Sequence, residues 1–293
     1  MQTYARGASS VAHGYGAQNI GSVLITKADG EQEMFVPTKL DNSLARVGVG
    51  PDMRKRVIDH VIRELKPGMT TEEIYRHAFD ILRREESAPM AARYSIKRAV
   101  FALGPSGFPF EQFLAEILRA HGWTCRTGAA LNGHCAPHEV DVLAEKSGRK
   151  IGIEAKFHND AGGKTDIKDA LYVHARYEDL KKTTEESSHV DEGWLVTNTT
   201  FTHNAIRYAQ CSGLTLLGWD YPNGRGLLPM IEEAKVHPLT CLTTLTEGEK
   251  RQLLDNKIVL CKSVQSRHLL DEYGIRPGRI PQVMEEAQRL CGI

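Results

Sequence analysis

The sequence predicts a multi-domain α/β protein with three parts: a small N-terminal hairpin followed by four helices, a central α/β/α domain on a mixed sheet, and a small all-α C-terminal domain. Two short apolar runs followed by stretches of helical spacing predict the first part. An amphipathic helix ahead of two alternating strands predicts the second, and short helical segments between turns predict the third. With 293 residues, the chain is long enough for more than one core.

The composition is that of an ordinary globular protein, with 41% hydrophobic and 25% charged residues. Lysine plus arginine and aspartate plus glutamate both number 37, so a nucleic-acid surface would have to be a local patch. We find no secretory signal and no apolar run of membrane-spanning length, and the six cysteines form no CxxC pair. These features favour a reducing, cytoplasmic location and no membrane partner.

The N-terminal part divides into a leader and a compact unit. Residues 1–20 are rich in glycine, alanine and serine, which predicts a flexible leader without an assigned function. We place the compact unit at 21–104, opening with a hairpin over 22–36 that turns at ADGEQ. The helical stretches that follow begin at proline or threonine or carry the helical spacing, over 38–48, 51–65, 70–86 and 87–103.

Two neighbouring predicted strands carry the residues with the clearest chemistry. Asp141 interrupts the apolar strand VDVLA, and alternation in IGIEAKF places Glu154 and Lys156 on one face. Two carboxylates can hold Mg²⁺ or Mn²⁺ for phosphodiester hydrolysis, and a lysine beside them can orient water or stabilise developing charge. For E-x-K alone, solvated residues on amphipathic strands would be the better explanation. The upstream aspartate, the turn at 145–150 and the preceding helix favour a site.

This central segment resembles the PD-(D/E)xK nucleases, and among them the Mrr-like and Holliday-junction-resolvase-like restriction endonucleases. GFPFEQFLAEILRAHGWTC at 107–125 looks like that family's first helix and strand, and 191–220 is similar to its late strand, helix and strand. The resemblance covers about 105–236. It implies a restriction-endonuclease-like fold and a Mg²⁺-dependent endodeoxyribonuclease. In that family, the matching residues are the metal ligands (Asp141, Glu154), the catalytic lysine (Lys156) and an acidic residue on the first helix (Glu111). Many Mrr relatives carry glutamine where this chain has Glu154.

The N-terminal unit resembles the ATP-cone, a nucleotide-binding regulatory module. The family's V-x-K-R-D-G, F and K-[IL] pattern is matched by ITKADG at 25–30, Phe35 and Lys39-Leu40. The resemblance implies ATP or dATP as a regulatory ligand, with Lys27 and Lys39 near phosphates and Glu33 near the nucleotide. Ala28 replaces the customary arginine and so removes a phosphate contact. The alternative is that Lys27 and Lys39 are solvated charges on a helical adaptor.

Other segments leave alternatives open. The helical stretch 166–186, with Lys168 and Arg176, could present a basic edge to a phosphate backbone or a mixed solvated face. HCAPH at 134–138 is interpreted as loop histidines near DNA in preference to a zinc site, and His158 as either an assisting group or a packed one. The region 237–293 resembles a helix-hairpin-helix or SAM-like DNA-binding domain, with Arg276 and Arg279 beside its turn. A helical cap or a dimer surface is the alternative.

Together these observations predict a nucleotide-regulated, metal-dependent DNA endonuclease acting in restriction or defence against foreign DNA. The rival hypotheses are a nucleotide-responsive DNA-binding regulator with an inactive nuclease scaffold, a structure-specific repair nuclease, and an adaptor that binds neither ligand. A homodimer is compatible with double-strand cleavage, because a single-site nuclease commonly needs two protomers for it. The DNA feature recognised and the sign of nucleotide regulation do not follow from the sequence.

Overall fold

The computed structural model describes residues 23–27, 30–85, 90–91 and 94–291. The predicted leader at 1–20 and the substituted position Ala28 lie outside the described residues. No helix within the described ranges has both the length and the apolar character needed to cross a bilayer.

The N-terminal unit begins with the predicted hairpin. Its strands pair antiparallel with Leu24 opposite Met34, and a proline at the first turn starts each of the next two helices. The apolar faces of these helices pack with Phe35 and Ile25 into one core. The elements of this unit are β1 (Leu24–Thr26), β2 (Gln32–Met34), α1 (Pro37–Arg46), α2 (Pro51–Glu64) and α3 (Thr71–Glu85).

The apolar residues of the next helix, α4 (Ile96–Phe101), are not part of the N-terminal core. Its buried residues Ile96, Ala99 and Val100 belong to the core of the central domain. The hydroxyl of Thr240, far along the chain, donates to the carbonyl oxygen of Ala99 at 2.5 Å. The sequence predicts one helix over 87–103 within the N-terminal unit. In the structure a turn at Ser95 precedes α4, and α4 completes the second core.

The predicted mixed sheet is confirmed. In the described part of the chain it has five strands in the order β3-β4-β5-β7-β9, antiparallel between β3, β4 and β5 and parallel from β5 to β9. The elements are α5 (Phe108–Ala120), β3 (Thr124–Asn132), β4 (Pro137–Lys146), β5 (Arg149–Lys156), β6 (Lys164–Thr165), α6 (Ile167–Lys181), β7 (Glu192–Thr197), β8 (Thr200–Phe201), α7 (His203–Ser212), β9 (Thr215–Leu217) and α8 (Leu227–Ala234).

Helices cover both faces of this sheet, so its strands carry apolar residues on both sides. Helix α5 packs on one face with α8, and α6 and α7 pack on the other. The largest buried side chain on the second face is Tyr177 of α6, which lies directly over Gly152 of β5 and Gly193 of β7. A Cβ at either glycine would collide with the tyrosine ring. The absence of side chains at these two positions therefore sets how closely α6 approaches the sheet.

The C-terminal region is helical, as predicted. A buried carboxylate organises it, because Glu286 accepts hydrogen bonds from the backbone N–H and hydroxyl groups of Thr243 and Thr244 at 2.6–3.0 Å. Its apolar residues join the same core as α4, α5 and one face of the sheet. The helices are α9 (Glu247–Asp255), α10 (Arg267–Glu272) and α11 (Ile280–Cys291), with 3₁₀ turns at Leu239–Cys241 and Cys261–Gln265.

Candidate active site

The two candidate carboxylates lie at the same end of two adjacent strands. Val142 of β4 pairs with Ile153 of β5, so Asp141 and Glu154 are the next residues outward on their strands. The Asp141 carboxylate accepts a hydrogen bond from the Ala155 N–H at 2.7 Å. This bond fixes the aspartate against β5. The alternating pattern read from the sequence therefore brings these two side chains together.

Glu111 joins them from the first turn of α5. Burial, and then the nearby charges of Asp141, Glu139 and Glu154, raise the pKa of Glu111 to about 7. Burial, followed by Asp141, raises the pKa of Glu154 to about 7 against the opposing effect of Arg176, and burial also raises the pKa of Asp141. The site is a cluster of half-buried acids that repel one another.

The carboxylates of this site are suited to a divalent metal that prefers oxygen ligands. Carboxylate oxygens are the ligands that Mg²⁺ and Mn²⁺ prefer, and mutual repulsion between the acids is relieved by a cation. Among the residues that the structure describes, no group of three or more His, Cys, Asp or Glu side chains encloses a metal position. Asp141 and Glu154 would supply two oxygen ligands, a set that Mg²⁺ commonly completes with water or substrate.

Lys156 lies on the same strand face as Glu154 but is paired elsewhere. Its Nζ is 3.0 Å from Oδ1 of Asp169, in the first turn of α6. Asp169 also takes part in the capping box of that helix with Asp166. The lysine remains within electrostatic range of Glu154, where it lowers the carboxyl pKa, and its side chain is 44% exposed. The capping box of α6 thus provides an anchor for the lysine that the strand pattern did not reveal.

Arg176 is a member of the site that the sequence does not identify. Its Nη1 donates to Oε2 of Glu154 and, at 3.0 Å, to the carbonyl oxygen of Glu139. Its Nη2 donates to the hydroxyl of Tyr172 at 2.6 Å. From the sequence, Arg176 is only one of several basic residues on a predicted helix. The spacing of Tyr172 and Arg176 by one helical turn, on the helix that follows β5, was the available signal.

The histidines near the site have structural partners. His158 Nε2 is 2.9 Å from the Thr165 hydroxyl, and the His158 N–H donates to Asn198 Oδ1 at 2.8 Å, so this residue packs at the strand end. His138 Nε2 is 2.8 Å from Asp179, whose carboxylate also accepts the N–H of Cys135 at 2.8 Å. His138 and these backbone donors hold the pKa of Asp179 below its usual range. Asp179 thus fixes the 134–138 segment to α6.

The N-terminal candidates form ion pairs with neighbouring glutamates. Lys27 Nζ is 2.6 Å from Glu31, and Lys39 Nζ is 2.8 Å from Glu33. Lys27 also lines a cavity of about 730 Å³, whereas Glu33 and Lys39 do not line it. In the C-terminal region, Arg279 is held by Glu249 at 2.5 Å and by the carbonyl oxygen of Thr244.

The central region matches a known family over the elements just described. Residues 104–220 match the family model described as "Restriction endonuclease". This segment contains α5, the strands that carry Asp141 and Glu154, and the parallel strands beyond them. The central region is therefore a restriction-endonuclease-like domain.

A second family model matches the C-terminal region, and two similar proteins cover most of the central and C-terminal regions. Residues 237–291 match the model described as "AF1548-like, C-terminal". An uncharacterized protein of Archaeoglobus fulgidus is 33% identical over 181 residues, which is 61% of this chain and 100% of the relative. The crystal structure of AF1548, a protein of unknown function, is 31% identical with a TM-score of 0.55, covering 64% of this chain and 99% of that protein. The chain belongs to the AF1548-like family.

A more distant similarity connects the chain to a repair endonuclease from Pyrococcus abyssi. It is 20% identical with a TM-score of 0.31, over 39% of this chain and 46% of that protein. This similarity is too low to bear on function.

Proposed function

We propose that this protein is a metal-dependent DNA endonuclease. The observation that carries the proposal is the meeting of Asp141 and Glu154 at one end of adjacent strands in a restriction-endonuclease-like domain, with Lys156 on the same face. The mutual elevation of the carboxyl pKa values supports a site built to receive a cation. Restriction of foreign DNA is the biological role that we favour.

Each side chain has a role that follows from its place. Asp141 and Glu154 would hold Mg²⁺ or Mn²⁺, and the bound ion would supply charge neutralisation at the scissile phosphate and activation of water. The Ala155 N–H keeps Asp141 directed toward Glu154. Lys156 is exposed enough to leave Asp169 and stabilise negative charge on the phosphate. Glu111, with its raised pKa, is suited to hold a proton near the reacting group at neutral pH.

The face of α6 beside these residues supports DNA as the substrate. Tyr172 is 61% exposed and Leu171 is 46% exposed, and both lie about one helical turn from Lys168. Aromatic and cationic side chains at the rim of a nuclease site suit contact with bases and phosphates. DNA would therefore approach along α6 and over the ends of β4 and β5.

The test is cleavage of supercoiled plasmid by the full chain with Mg²⁺ or Mn²⁺, compared with the same reaction in EDTA. We expect nicked or linear product only with the divalent metal. A panel of methylated, unmodified, single-stranded and branched DNAs, each run with and without ATP and dATP, identifies the target and the sign of regulation. No product from any DNA with either metal would favour the DNA-binding regulator with an inactive scaffold.

We further propose that the N-terminal unit is an ATP-cone that binds ATP or dATP. Support comes from the cavity of about 730 Å³ between this unit and the central region, whose walls include stacked Tyr75 and Tyr94 with ring centroids 5.0 Å apart. Lys27, Lys97 and Arg98 line the cavity, as do the acidic residues Glu72, Asp160 and Glu232, and Arg98 lies 3.1 Å from Glu72. Aromatic walls with cations beside them suit a base and its phosphates.

Thermal unfolding with added nucleotide tests this assignment. We expect ATP or dATP at one hundred times its Kd to stabilise the N-terminal unit by about 2.7 kcal/mol, because a ligand that binds only the folded state shifts the equilibrium by mass action. Lys55→Ala serves as the control, since Lys55 is an exposed residue of α2 that does not line the cavity. An unchanged unfolding temperature with every adenine nucleotide would remove the sensor role and leave the helical adaptor.

The domain boundaries and assembly also remain proposals. Of the expected domains at 21–104, 105–236 and 237–293, we end the regulatory unit before α4, because α4 packs in the core of the central domain, and we propose that the helical region 237–293 assists in holding DNA. A homodimer would allow cleavage of both strands. In the helical domain, Arg276 is the better candidate for a phosphate contact, because Arg279 is engaged by Glu249.

A further inference from the structure

Arg176 lies beside Glu154 and forms an ion pair with its carboxylate. The guanidinium of Arg176 is held by Glu154, by the carbonyl oxygen of Glu139 and by the hydroxyl of Tyr172. Its side chain is 12% exposed, and the Glu154 side chain is 23% exposed. This is a built-in ion pair at the candidate metal site.

The ion pair of Arg176 and Glu154 lies beside an exposed tyrosine, and one donor of the guanidinium is unused. The Arg176 guanidinium carbon lies 4.8 Å from the centroid of the Tyr172 ring, which is itself 61% exposed. The Nε of Arg176 is buried and has no hydrogen-bond partner among the described residues. A guanidinium with an unused donor is not fully satisfied by its protein partners. It can gain a bond by turning toward an anion at the exposed edge.

Arg176 and a divalent cation would compete for the same carboxylate. One oxygen of Glu154 is already taken by Nη1, and a metal held between Asp141 and Glu154 would also meet the positive charge of the guanidinium. Lys156 does not create this conflict to the same degree, because Asp169 binds its ammonium group. Arg176 is therefore the residue that opposes metal uptake by the free protein.

A DNA phosphate would relieve the competition. Guanidinium groups bind phosphate oxygens through two parallel N–H donors, which a carboxylate neighbour with one engaged oxygen does not fully use. Tyr172 would keep the guanidinium near the site while it exchanges Glu154 for phosphate. The exchange would free Glu154 for the metal and add a contact to the substrate in the same movement.

We propose that Arg176 is a positioning residue that couples metal uptake to DNA binding: it holds Glu154 in the free protein and passes to a substrate phosphate when DNA arrives. This inference rests on the proposed metal site at Asp141 and Glu154. By linkage, DNA raises the affinity for metal and metal raises the affinity for DNA.

The test measures Mn²⁺ binding to the full chain without DNA, by the electron paramagnetic resonance signal of free Mn²⁺. Arg176→Met removes the charge and keeps much of the side-chain length, and we expect it to bind Mn²⁺ about tenfold more tightly than the wild type. Arg176→Lys keeps the charge and should lie closer to the wild type. Lys181→Met, which removes a charge from the same helix away from Glu154, should match the wild type.

A second measurement follows duplex DNA binding in EDTA. We expect Arg176→Met to bind DNA more weakly than both the wild type and Lys181→Met, because the phosphate contact is lost. A structural role alone would not tighten metal binding while weakening DNA binding. Thermal unfolding in EDTA verifies that each variant is folded before its affinities are compared.

The outcomes separate this inference from the proposed function. Equal Mn²⁺ affinity in the wild type and Arg176→Met, with binding abolished by Asp141→Asn, overturns the coupling and leaves the metal site intact. Undiminished Mn²⁺ binding by Arg176→Met carrying Asp141→Asn places the metal elsewhere, and then both proposals fall. Tighter binding that Asp141→Asn abolishes supports both.

Discussion

Replacing Lys156 by alanine is expected to reduce plasmid cleavage by at least about 100-fold, because the site loses the ammonium group that stabilises charge on the reacting phosphate. Asp141 and Glu154 remain in place, since Asp141 is fixed by the Ala155 N–H. Mn²⁺ affinity and DNA affinity should therefore remain close to those of the wild type. Initial rates of supercoiled plasmid loss, with metal and DNA binding measured separately, check this expectation.

Lys150→Ala is the matched control for that variant. Lys150 lies on the same strand, and its Nζ donates to the Glu186 carbonyl oxygen at 3.0 Å near the opposite end of β5. It should cleave plasmid at the wild-type rate. Full cutting by Lys156→Ala would show that the lysine has no part in the reaction. Loss of metal binding in that variant would assign the lysine to site assembly instead.

The largest effect on stability is expected at Tyr177. This residue is 1% exposed and packs against Gly152 and Gly193, so alanine would leave a cavity between α6 and the sheet. We expect Tyr177→Ala to lower the free energy of unfolding by about 3–5 kcal/mol. Urea unfolding followed by tryptophan fluorescence measures the change, because all three tryptophans lie in the central region.

Tyr177→Phe separates ring packing from the hydroxyl group. The Tyr177 hydroxyl is buried without a hydrogen-bond partner among the described residues, and burial of the group raises its pKa well above the usual value. Removing the oxygen should leave stability unchanged or increase it by about 1 kcal/mol. A loss as large as that of the alanine variant would mean that the hydroxyl has a partner that is essential to the fold.

Much of the fold followed from local patterns in the sequence. Strict alternation through Ile151, Ile153 and Glu154 predicts β5. The apolar run VDVLA predicts the neighbouring strand, and the polar Asp141 within it marks a candidate site residue. A strand fixes the face of each side chain by its period of two, so these residues were placed before any tertiary contact was known. The hairpin and the helical C-terminal region were predicted for similar reasons.

The contacts that complete the site could not be predicted in the same way. The pairing of Arg176 with Glu154 joins residues 22 positions apart through helix packing, and the helical period alone does not say which cation of α6 faces the strand. The anchoring of Lys156 by Asp169 likewise depends on where the first turn of α6 meets β5. Local patterns specify the acids, and tertiary packing specifies their cations.

The packing of α4 was hidden for a related reason. Its apolar residues have ordinary helical spacing, which identifies a buried face but not the core that receives it. The structure places Ile96, Ala99 and Val100 with the central sheet, although they directly follow the N-terminal helices in the chain. A break in helical structure at Ser95 was not apparent from the sequence.

The apolar core shared by α4, α5, the sheet and α11 makes these segments interdependent during folding. Residues near both ends of this stretch, such as Val100 and Leu290, are 0% exposed and belong to this one core. A chain cut before α11 would therefore leave part of this shared apolar core exposed to solvent.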